Sequence, residues 1–233
     1  MLCAVVPVRP SARGRALERL REEVVACRRC PRLVAWREHV AAHPRAAYAG
    51  EAYWGRPVPG WGDPDATLVV VGLAPGAHGA NRTGRMFTGD RSGDWLYRAL
   101  WRAGYANQPE SRALGDGLEL EGAWVTAAVR CAPPQNKPAP AERDECLPYL
   151  RRELATLGSC RVVVALGRFG ADAVAAVYGL SPRPRWGHLA EHALPGGRVL
   201  LCSFHPSQQN TFTGKLTEPM LDSVFTRARA LGA

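Results

Sequence analysis

The chain has 233 residues, of which 46% are hydrophobic, and this length and composition are those of one globular α/β domain with its own core. No run of about 18 apolar residues occurs, which argues against a membrane-spanning helix. The formal charge of +9 comes almost wholly from arginine. It is explained either by the bias of a GC-rich genome or by a polyanionic partner, whose phosphates arginine binds well.

The N-terminal part of the chain predicts a leader, a helix and a long loop. Residues 1–26 begin with a ragged stretch whose prolines and arginines argue against a secretory signal, and they end in a helical pattern that starts near Ser11. A short helix is expected around residues 33–36. Residues 43–65 are rich in proline, glycine and aromatic residues without a clear period, so they predict an ordered loop folded over the domain.

Four apolar runs rich in β-branched residues predict the strands of a sheet, and a helical pattern follows each of them. The predicted strands are residues 67–73, 123–129, 161–166 and 198–203. The predicted helices after them are residues 95–101, 140–157, 169–178 and 217–231. This alternation predicts one domain over residues 1–233, an α/β sandwich around a mainly parallel sheet of four strands.

Residues 72–90, directly after the first predicted strand, form a segment longer than the usual strand-to-helix connector of about 2–6 residues. Among its glycines stand side chains that can do chemistry: His78, Asn81, Arg82, Arg85, Phe87 and Asp90. Two further unusual segments, around Cys131 and His205, follow the second and fourth strands. Because ligands bind at the carboxyl ends of such strands, the three segments together predict a site.

The seven cysteines of a chain without a secretory signal indicate metal binding or catalysis before disulfides. Cys3, Cys160 and Cys202 are scattered, and the last two fit small buried hydrophobic residues. Four others form a tight pair and a loose pair: Cys27, Cys30, Cys131 and Cys146. The loose second pair fits a [4Fe–4S] cluster somewhat better than a zinc ion, but spacing alone leaves iron–sulfur, zinc and unrelated buried thiols open.

These motifs, in this order, are specific as a set although each alone is weak. The set comprises Cys27-x2-Cys30, Gly72-Leu-Ala-Pro-Gly76 with its continuation to Asp90, Thr-Ala-Ala-Val-Arg-Cys131-Ala-Pro-Pro, Cys146 and His205-Pro-Ser-Gln-Gln-Asn210. From Cys27 to the last helix, the chain resembles the iron–sulfur uracil-DNA glycosylases of bacteria and archaea, and most of all their type b branch, family 5. The resemblance implies a three-layer α/β/α sandwich and a [4Fe–4S] cluster on the four cysteines.

A glycosylase flips a base out of DNA, holds it and hydrolyses its bond to the sugar, leaving an abasic site. The resemblance makes Phe87 the residue that stacks on the base and His205 the donor of a hydrogen bond to the base O2. Gly72, Leu73, Ala74 and Ala127 are expected to line the substrate site beside them. Breaking the bond leaves positive charge on the sugar and negative charge on the base, so stabilising both charges should give most of the rate.

Two departures from the family pattern change the expected chemistry. Leu73 and Ala74 stand where relatives carry a polar or acidic catalytic residue, so catalysis is expected to shift to Asp90, with Asn81 as a weaker candidate for holding the water. The alternative role of Asp90 is a helix cap or an ion-pair partner. Ala127 stands where several relatives read uracil with an asparagine. An apolar pocket discriminates weakly, so hypoxanthine or modified pyrimidines are expected as further substrates.

The polar segment after His205 is expected to contact DNA and fill the gap that the flipped base leaves. Its candidate DNA-binding residues are Ser207, Gln208, Gln209, Asn210, Thr211 and Lys215. The alternative is an ordinary capping loop before the last helix. The expected partner is DNA that contains uracil or other deaminated bases.

The expected setting is a monomer in the cytoplasm of a bacterium or archaeon, at the nucleoid and not at a membrane. The first rival function is a non-catalytic iron–sulfur protein that binds DNA or senses redox state, which leaves Phe87, Asp90 and His205 without a joint purpose. The second is a hydrolase of a small molecule, which lacks a nucleophile motif such as G-x-S-x-G.

Overall fold

A central sheet organises the fold in the computed structural model, which describes residues 11–232. The predicted leader over residues 1–10, including Cys3, therefore lies outside the described residues. The strands are β1 (Trp61–Gly62), β2 (Leu68–Gly72), β3 (Ala123–Ala127), β4 (Val162–Leu166), β5 (Glu191–Leu194) and β6 (Arg198–Ser203). Their order across the sheet is β1-β3-β2-β4-β6-β5, and β3, β2, β4 and β6 run parallel.

The predicted sheet of four strands is correct for the parallel centre but too small, because an antiparallel strand closes each edge. At one edge β1 pairs with β3 over only two residues, inside the segment predicted to be loop. At the other edge β5 pairs with β6. Three of the four β5 residues are at least partly exposed. Edge strands of this kind carry little of the apolar pattern by which sequence reveals strands.

Helices cover both faces of the sheet, which confirms the three-layer arrangement. They are α1 (Ala12–Val25), α2 (Pro31–Ala42), α3 (Ala80–Thr83), α4 (Arg91–Arg102), α5 (Pro140–Thr156), α6 (Arg168–Tyr178), α7 (Gln208–Phe212) and α8 (Glu218–Gly232). None of the helices within residues 11–232 is long and apolar enough to cross a membrane. The segment expected as a short helix at residues 33–36 is the full three-turn α2, and α7 lies in the segment expected to be a polar loop.

Alternate residues of β2 face the two helical layers, as a strand period of two requires. Leu68 and Val70 pack with α4 and α8, in a cluster that includes Leu100 and Phe225. Val69 and Val71 pack on the other face, in a cluster to which α1, α5 and α6 contribute, including Leu17, Leu150 and Val174. Both faces of the strand are buried, which explains its unbroken apolar sequence.

The topology brings the segments after the parallel strands together at the carboxyl ends of those strands, which form one edge of the sheet. The chain leaves β2 for β3 on one side, and later returns to β4 on the other side of β2. The chain therefore adds its next strands on opposite sides of β2, and such a switch point leaves a crevice outside the carboxyl ends of the parallel strands. The segments that begin at Leu73, Ala128, Gly167 and Phe204 all start at this edge.

Candidate active site and cysteine cluster

Phe87 lies directly over the end of β2. A Cβ atom added to Gly72 would lie only 2.5 Å from Cζ of Phe87, so the aromatic ring occupies space that any side chain at position 72 would need. The Phe87 backbone has a φ of 54°, in the left-handed region that residues with bulky side chains rarely adopt. Its carbonyl oxygen lies so close to Gly93 that a Cβ there would collide with it. The ring is thus held in one position by close packing.

His205 faces Phe87 at the carboxyl edge of the sheet. The two ring centroids are 5.9 Å apart and the ring planes are tilted by 31°. The His205 backbone carbonyl accepts a 2.8 Å hydrogen bond from Nδ2 of Asn210. Burial lowers the pKa of His205 to about 4, so the imidazole is neutral at neutral pH and keeps one N–H donor. The two residues expected to hold the base therefore lie side by side.

Asp90 is the N-cap of α4, which confirms the structural role considered for it. One carboxylate oxygen accepts a 3.1 Å hydrogen bond from the Gly93 amide. The other oxygen lies against Gly76 and Gly79, within the segment that follows β2. Burial raises the pKa of Asp90 above its ordinary value of 3.8. A partly buried carboxylate at the end of the Phe87 segment is thus present, and its catalytic role stays a prediction.

Asn81 is fully buried and points toward α2. Its Nδ2 donates to the carbonyl oxygens of Arg37 (3.3 Å) and Ala77 (3.5 Å). Its Oδ1 is buried without a hydrogen-bond partner among residues 11–232. These contacts join α3 to α2, and the expected role of Asn81 in holding water stays a prediction.

The floor under Phe87 consists of small residues. Gly72 pairs with Ala127 across β2 and β3, and Ala127 is buried. The pairing continues past the strand ends, where the Val129 amide donates to the Leu73 carbonyl at 3.0 Å. Ala74 packs instead against the cysteines described below. Of the substrate positions expected from sequence, Gly72 and Ala127 therefore lie at the base site, whereas Ala74 lies at the neighbouring cysteine cluster.

The segment after His205 presents polar side chains and one exposed aromatic ring. Ser207 caps α7 by accepting from the Asn210 amide, and the side chains of Gln208, Gln209 and Lys215 are exposed. The Thr211 hydroxyl donates to the Gln208 carbonyl at 3.2 Å. Phe212, not anticipated from sequence, is 69% exposed. The Arg91 guanidinium stacks 4.5 Å above its ring.

A buried polar network that sequence reasoning missed supports the Phe87 segment. Arg85 forms an ion pair with Asp116, and Arg85, Thr88 and Ser111 are joined by hydrogen bonds. Asp116 lies between two glycines in the connector over residues 105–121, and this turn composition was its only signal.

The four cysteines that carry the spacing motif converge. Cys131 and Cys146 are buried in one apolar cluster with Leu33 and Val129, and Cys30 packs against it. Burial raises the pKa of Cys131 to about 12 and that of Cys30 to about 11. Charge on Cys146 and Cys27 adds to the effect of burial on the pKa of both thiols. Cys160 and Cys202 are buried apart from this cluster, as predicted.

A buried guanidinium lies on the cysteine cluster. Arg37 of α2 is only 2% exposed, and its Nη1 donates to Sγ of Cys131 at 3.0 Å. Its Nη2 donates to the Cys27 carbonyl at 3.2 Å. Within residues 11–232, no three side chains of Cys, His, Asp or Glu are arranged as ligands of a metal ion. Cysteine thiolates are the ligands of iron–sulfur clusters, and a guanidinium beside them would offset part of their negative charge.

Residues 59–229 match the family model of the uracil DNA glycosylase superfamily. The chain belongs to this superfamily, and the resemblance inferred from its motifs is confirmed. It is 54% identical over 211 residues to the type-5 uracil-DNA glycosylase of Mycobacterium tuberculosis, covering 89% of this chain and 79% of the relative. The type-5 enzyme of Thermus thermophilus is 54% identical over 90% of this chain and 95% of its own length. A type-4 uracil-DNA glycosylase of Pyrobaculum aerophilum is 30% identical over 82% of this chain.

Proposed function

We propose that this protein excises uracil from DNA by hydrolysing the N-glycosidic bond, leaving an abasic site. The observation that carries the proposal is the pairing of Phe87 and His205, whose ring centroids lie 5.9 Å apart at the carboxyl edge of the sheet. A flipped base stacks on the Phe87 ring, and the neutral His205 donates a hydrogen bond to the base O2. The type-5 relatives, which are named for uracil-DNA glycosylase activity, support the same assignment.

The reaction breaks the bond between base N1 and sugar C1′, and the electron pair stays on the base. His205 stabilises the negative charge that develops on O2, the kind of stabilisation that preorganised donors supply. Water adds to C1′, and the proton that it releases balances the charge of the departing base anion. The partly buried Asp90 carboxylate, next to the glycines after β2, offsets the positive charge on the sugar and orients that water, with Asn81 as a weaker candidate for holding it.

The test is incubation of purified protein with a duplex that contains one uracil, followed by detection of abasic sites. A duplex with thymine at the same position is the control. Strand cleavage after mild base, at the uracil position only, is the expected result. DNA binding without any abasic site would favour the non-catalytic alternative and overturn the proposal.

The proposed substrate range extends beyond uracil to hypoxanthine and modified pyrimidines. Gly72 and Ala127 form the floor of the site and offer no side-chain amide to read the edge of uracil. Apolar contacts reject a wrong base only weakly. Excision of hypoxanthine from duplex DNA at a measurable rate is expected, and Ala127→Asn should reduce it more than uracil excision. Strict restriction of the natural protein to uracil would contradict this proposal.

We further propose that Cys27, Cys30, Cys131 and Cys146 hold a [4Fe–4S] cluster. They come from the turn between α1 and α2, the segment after β3, and α5, so a cluster would join three distant segments of the chain. When bound, the cluster supplies a four-point cross-link and a potential one-electron centre. Iron and sulfide analysis together with absorbance near about 400 nm tests the assignment. Stoichiometric zinc without iron would replace it with a zinc site.

The proposed biological setting is a single-domain monomer that acts on DNA in the cytoplasm, at the nucleoid. DNA contact is assigned to Ser207, Gln208, Gln209, Asn210, Thr211 and Lys215. Arg91 and Lys215 support this surface, since both are exposed and their cationic groups lie over the rings of Phe212 and Phe204. Light scattering after size-exclusion chromatography tests the oligomeric state, and a dimer would contradict the monomer.

A further inference from the structure

The backbone of Phe87 adopts a conformation that needs external support. Its φ of 54° lies in the left-handed region, which is unfavourable for a side chain of this size. Such a conformation persists only where the surrounding structure holds it in place. Tyr97 provides one support, because its hydroxyl donates a 2.7 Å hydrogen bond to the Met86 carbonyl. The residues on both sides of Met86 and Phe87 provide the rest.

Arg85 and Thr88, which flank this pair, are joined to each other and to a distant connector. Nε of Arg85 donates to the Thr88 hydroxyl at 2.9 Å. Its two Nη atoms donate to the Asp116 carboxylate at 2.9 and 2.7 Å, a bidentate pair. Ser111 completes the ring, with its hydroxyl 2.9 Å from Nη2 of Arg85 and 2.6 Å from the Thr88 hydroxyl. The four-residue loop 85–88 is therefore closed by side chains.

Asp116 is itself built into its connector. Its carboxylate accepts backbone hydrogen bonds from Arg112 at 2.8 Å, Ala113 at 3.2 Å and Leu118 at 3.1 Å. The Arg85 guanidinium and these amides outweigh the effect of partial burial and hold the pKa of Asp116 well below its usual value of 3.8. Asp116 is thus ionised throughout the neutral range, and it organises residues 112–118 as a platform for Arg85.

We propose that Asp116 is a positioning residue for base excision, acting through Arg85 to hold Phe87 against Gly72. The inference rests on the proposed function, in which the Phe87 ring stacks on the flipped base. Without the charge at position 116, loop 85–88 relaxes toward ordinary backbone angles and the ring leaves the end of β2. The flipped base then no longer stacks on Phe87 in the position where His205 can donate to its O2. Misplacing a substrate in this way slows enzymes strongly.

The experiment compares Asp116→Asn with Asp222→Asn. Asp222 is a matched control because it also pairs with an arginine across two elements, Arg102, on the α4–α8 side of the protein. The single-turnover excision rate at saturating protein should fall about tenfold to a hundredfold in Asp116→Asn. Its affinity for duplex DNA should stay within about twofold, because Arg85 is buried and paired with Asp116 and so is not expected to bind phosphate. Asp222→Asn should match the natural protein in both measurements.

A second variant decides the matter if Asp116→Asn does not fold. Thr88→Val removes the hydroxyl between Arg85 and Ser111 at nearly constant volume, and leaves the ion pair intact. It should lower the excision rate in the same assay with DNA affinity unchanged. Folded variants that excise at the natural rate would overturn the inference while leaving the proposed function standing. A natural protein that excises nothing would overturn both.

Discussion

The base site and the cysteine cluster adjoin each other at the carboxyl edge of the sheet, but different interactions stabilise each of them. At the base site, Phe87 sits on strained backbone supported by charged and hydroxyl side chains. At the cysteine cluster, thiols lie among apolar side chains such as Leu33, with one guanidinium beside them. Neighbouring positions at the ends of the strands therefore carry separate tasks, base excision in one region and linkage of chain segments in the other.

The boundary between the two regions is only two residues wide. Gly72 lies under Phe87, whereas Ala74 packs against the cysteines. Past the end of β3, a buried ion pair joins Arg130, which precedes Cys131, to Glu153 of α5. Glu153 also accepts a 2.8 Å hydrogen bond from Thr126. This pair joins the segment after β3 to α5, the helix that carries Cys146, so it belongs to the region of the cysteine cluster.

Replacement of His205 should have the largest effect on chemistry. His205→Asn removes the ring that stabilises negative charge on the base, and losing one such donor costs about a hundredfold to a thousandfold in rate. Single-turnover excision of uracil measures this loss. The melting temperature should stay close to the natural value, because the residue belongs to the chemical region. A His205→Asn protein that keeps the natural excision rate but has a lower melting temperature would show that His205 serves stability and not chemistry.

The pH dependence of stability offers a second measurement at His205. Its folded-state pKa of about 4 lies below the ordinary value of 6.5, so the unfolded chain takes up this proton first as the pH falls. The contribution to stability is therefore complete above pH 6.5 and is lost progressively toward pH 4. His205→Asn should show a smaller loss of unfolding free energy across that range. Equal losses in both proteins would contradict the lowered pKa.

Asp90→Asn should have the next largest effect. Asparagine caps helices about as well as aspartate, so α4 stays intact and the variant isolates the charge. A rate loss of about tenfold to a hundredfold is expected if the carboxylate supports the sugar cation. Because burial raises the Asp90 pKa, excision by the natural protein should increase with pH through that raised value. The variant should lack this increase, and full single-turnover activity would remove Asp90 from the mechanism.

Replacement of a cluster cysteine should affect stability more than chemistry. Cys146→Ser is compared with Cys160→Ser, which alters an equally buried thiol outside the cluster. Cys146→Ser should lose absorbance near about 400 nm. It should also melt at least about 5 °C below the control, a shift that corresponds to a loss of a few kcal/mol. Well below the melting temperature, most of its excision rate should remain. Equal behaviour of the two variants would remove Cys146 from the cluster.

Sequence patterns predicted most of the fold because the parallel strands are buried on both faces. Their continuous apolar runs place all four within two residues of the observed ends. The edge strands β1 and β5 lack such runs. Helix α2 was underestimated because its buried face includes a charged residue, Arg37, and its bonding partner Cys131 lies 94 positions away.

Site residues could be predicted where they belong to a sequence motif. They could not be predicted where their role depends on a partner far away in the sequence. Phe87, Asp90 and His205 stand in recognisable segments, and the structure brings them to one edge of the sheet. Asp116 stands in a connector without a motif, and only its contact with Arg85, 31 positions earlier, gives it meaning. Polar contacts between segments far apart in sequence leave no local period, so periodicity cannot reveal them.

The smallest expected effect lies at Lys215, outside both regions and on the surface assigned to DNA. The Lys215 ammonium lies 5.1 Å from the Phe204 ring centroid, next to His205 in sequence. If it contacts a phosphate, Lys215→Gln should weaken DNA binding about equally for all sequences. The slope of log affinity against log salt should fall by about one. Arg161→Gln is the control, because exposed Arg161 precedes β4 at the opposite edge of the sheet. An equal change in both variants would indicate general charge attraction and no contact at this surface.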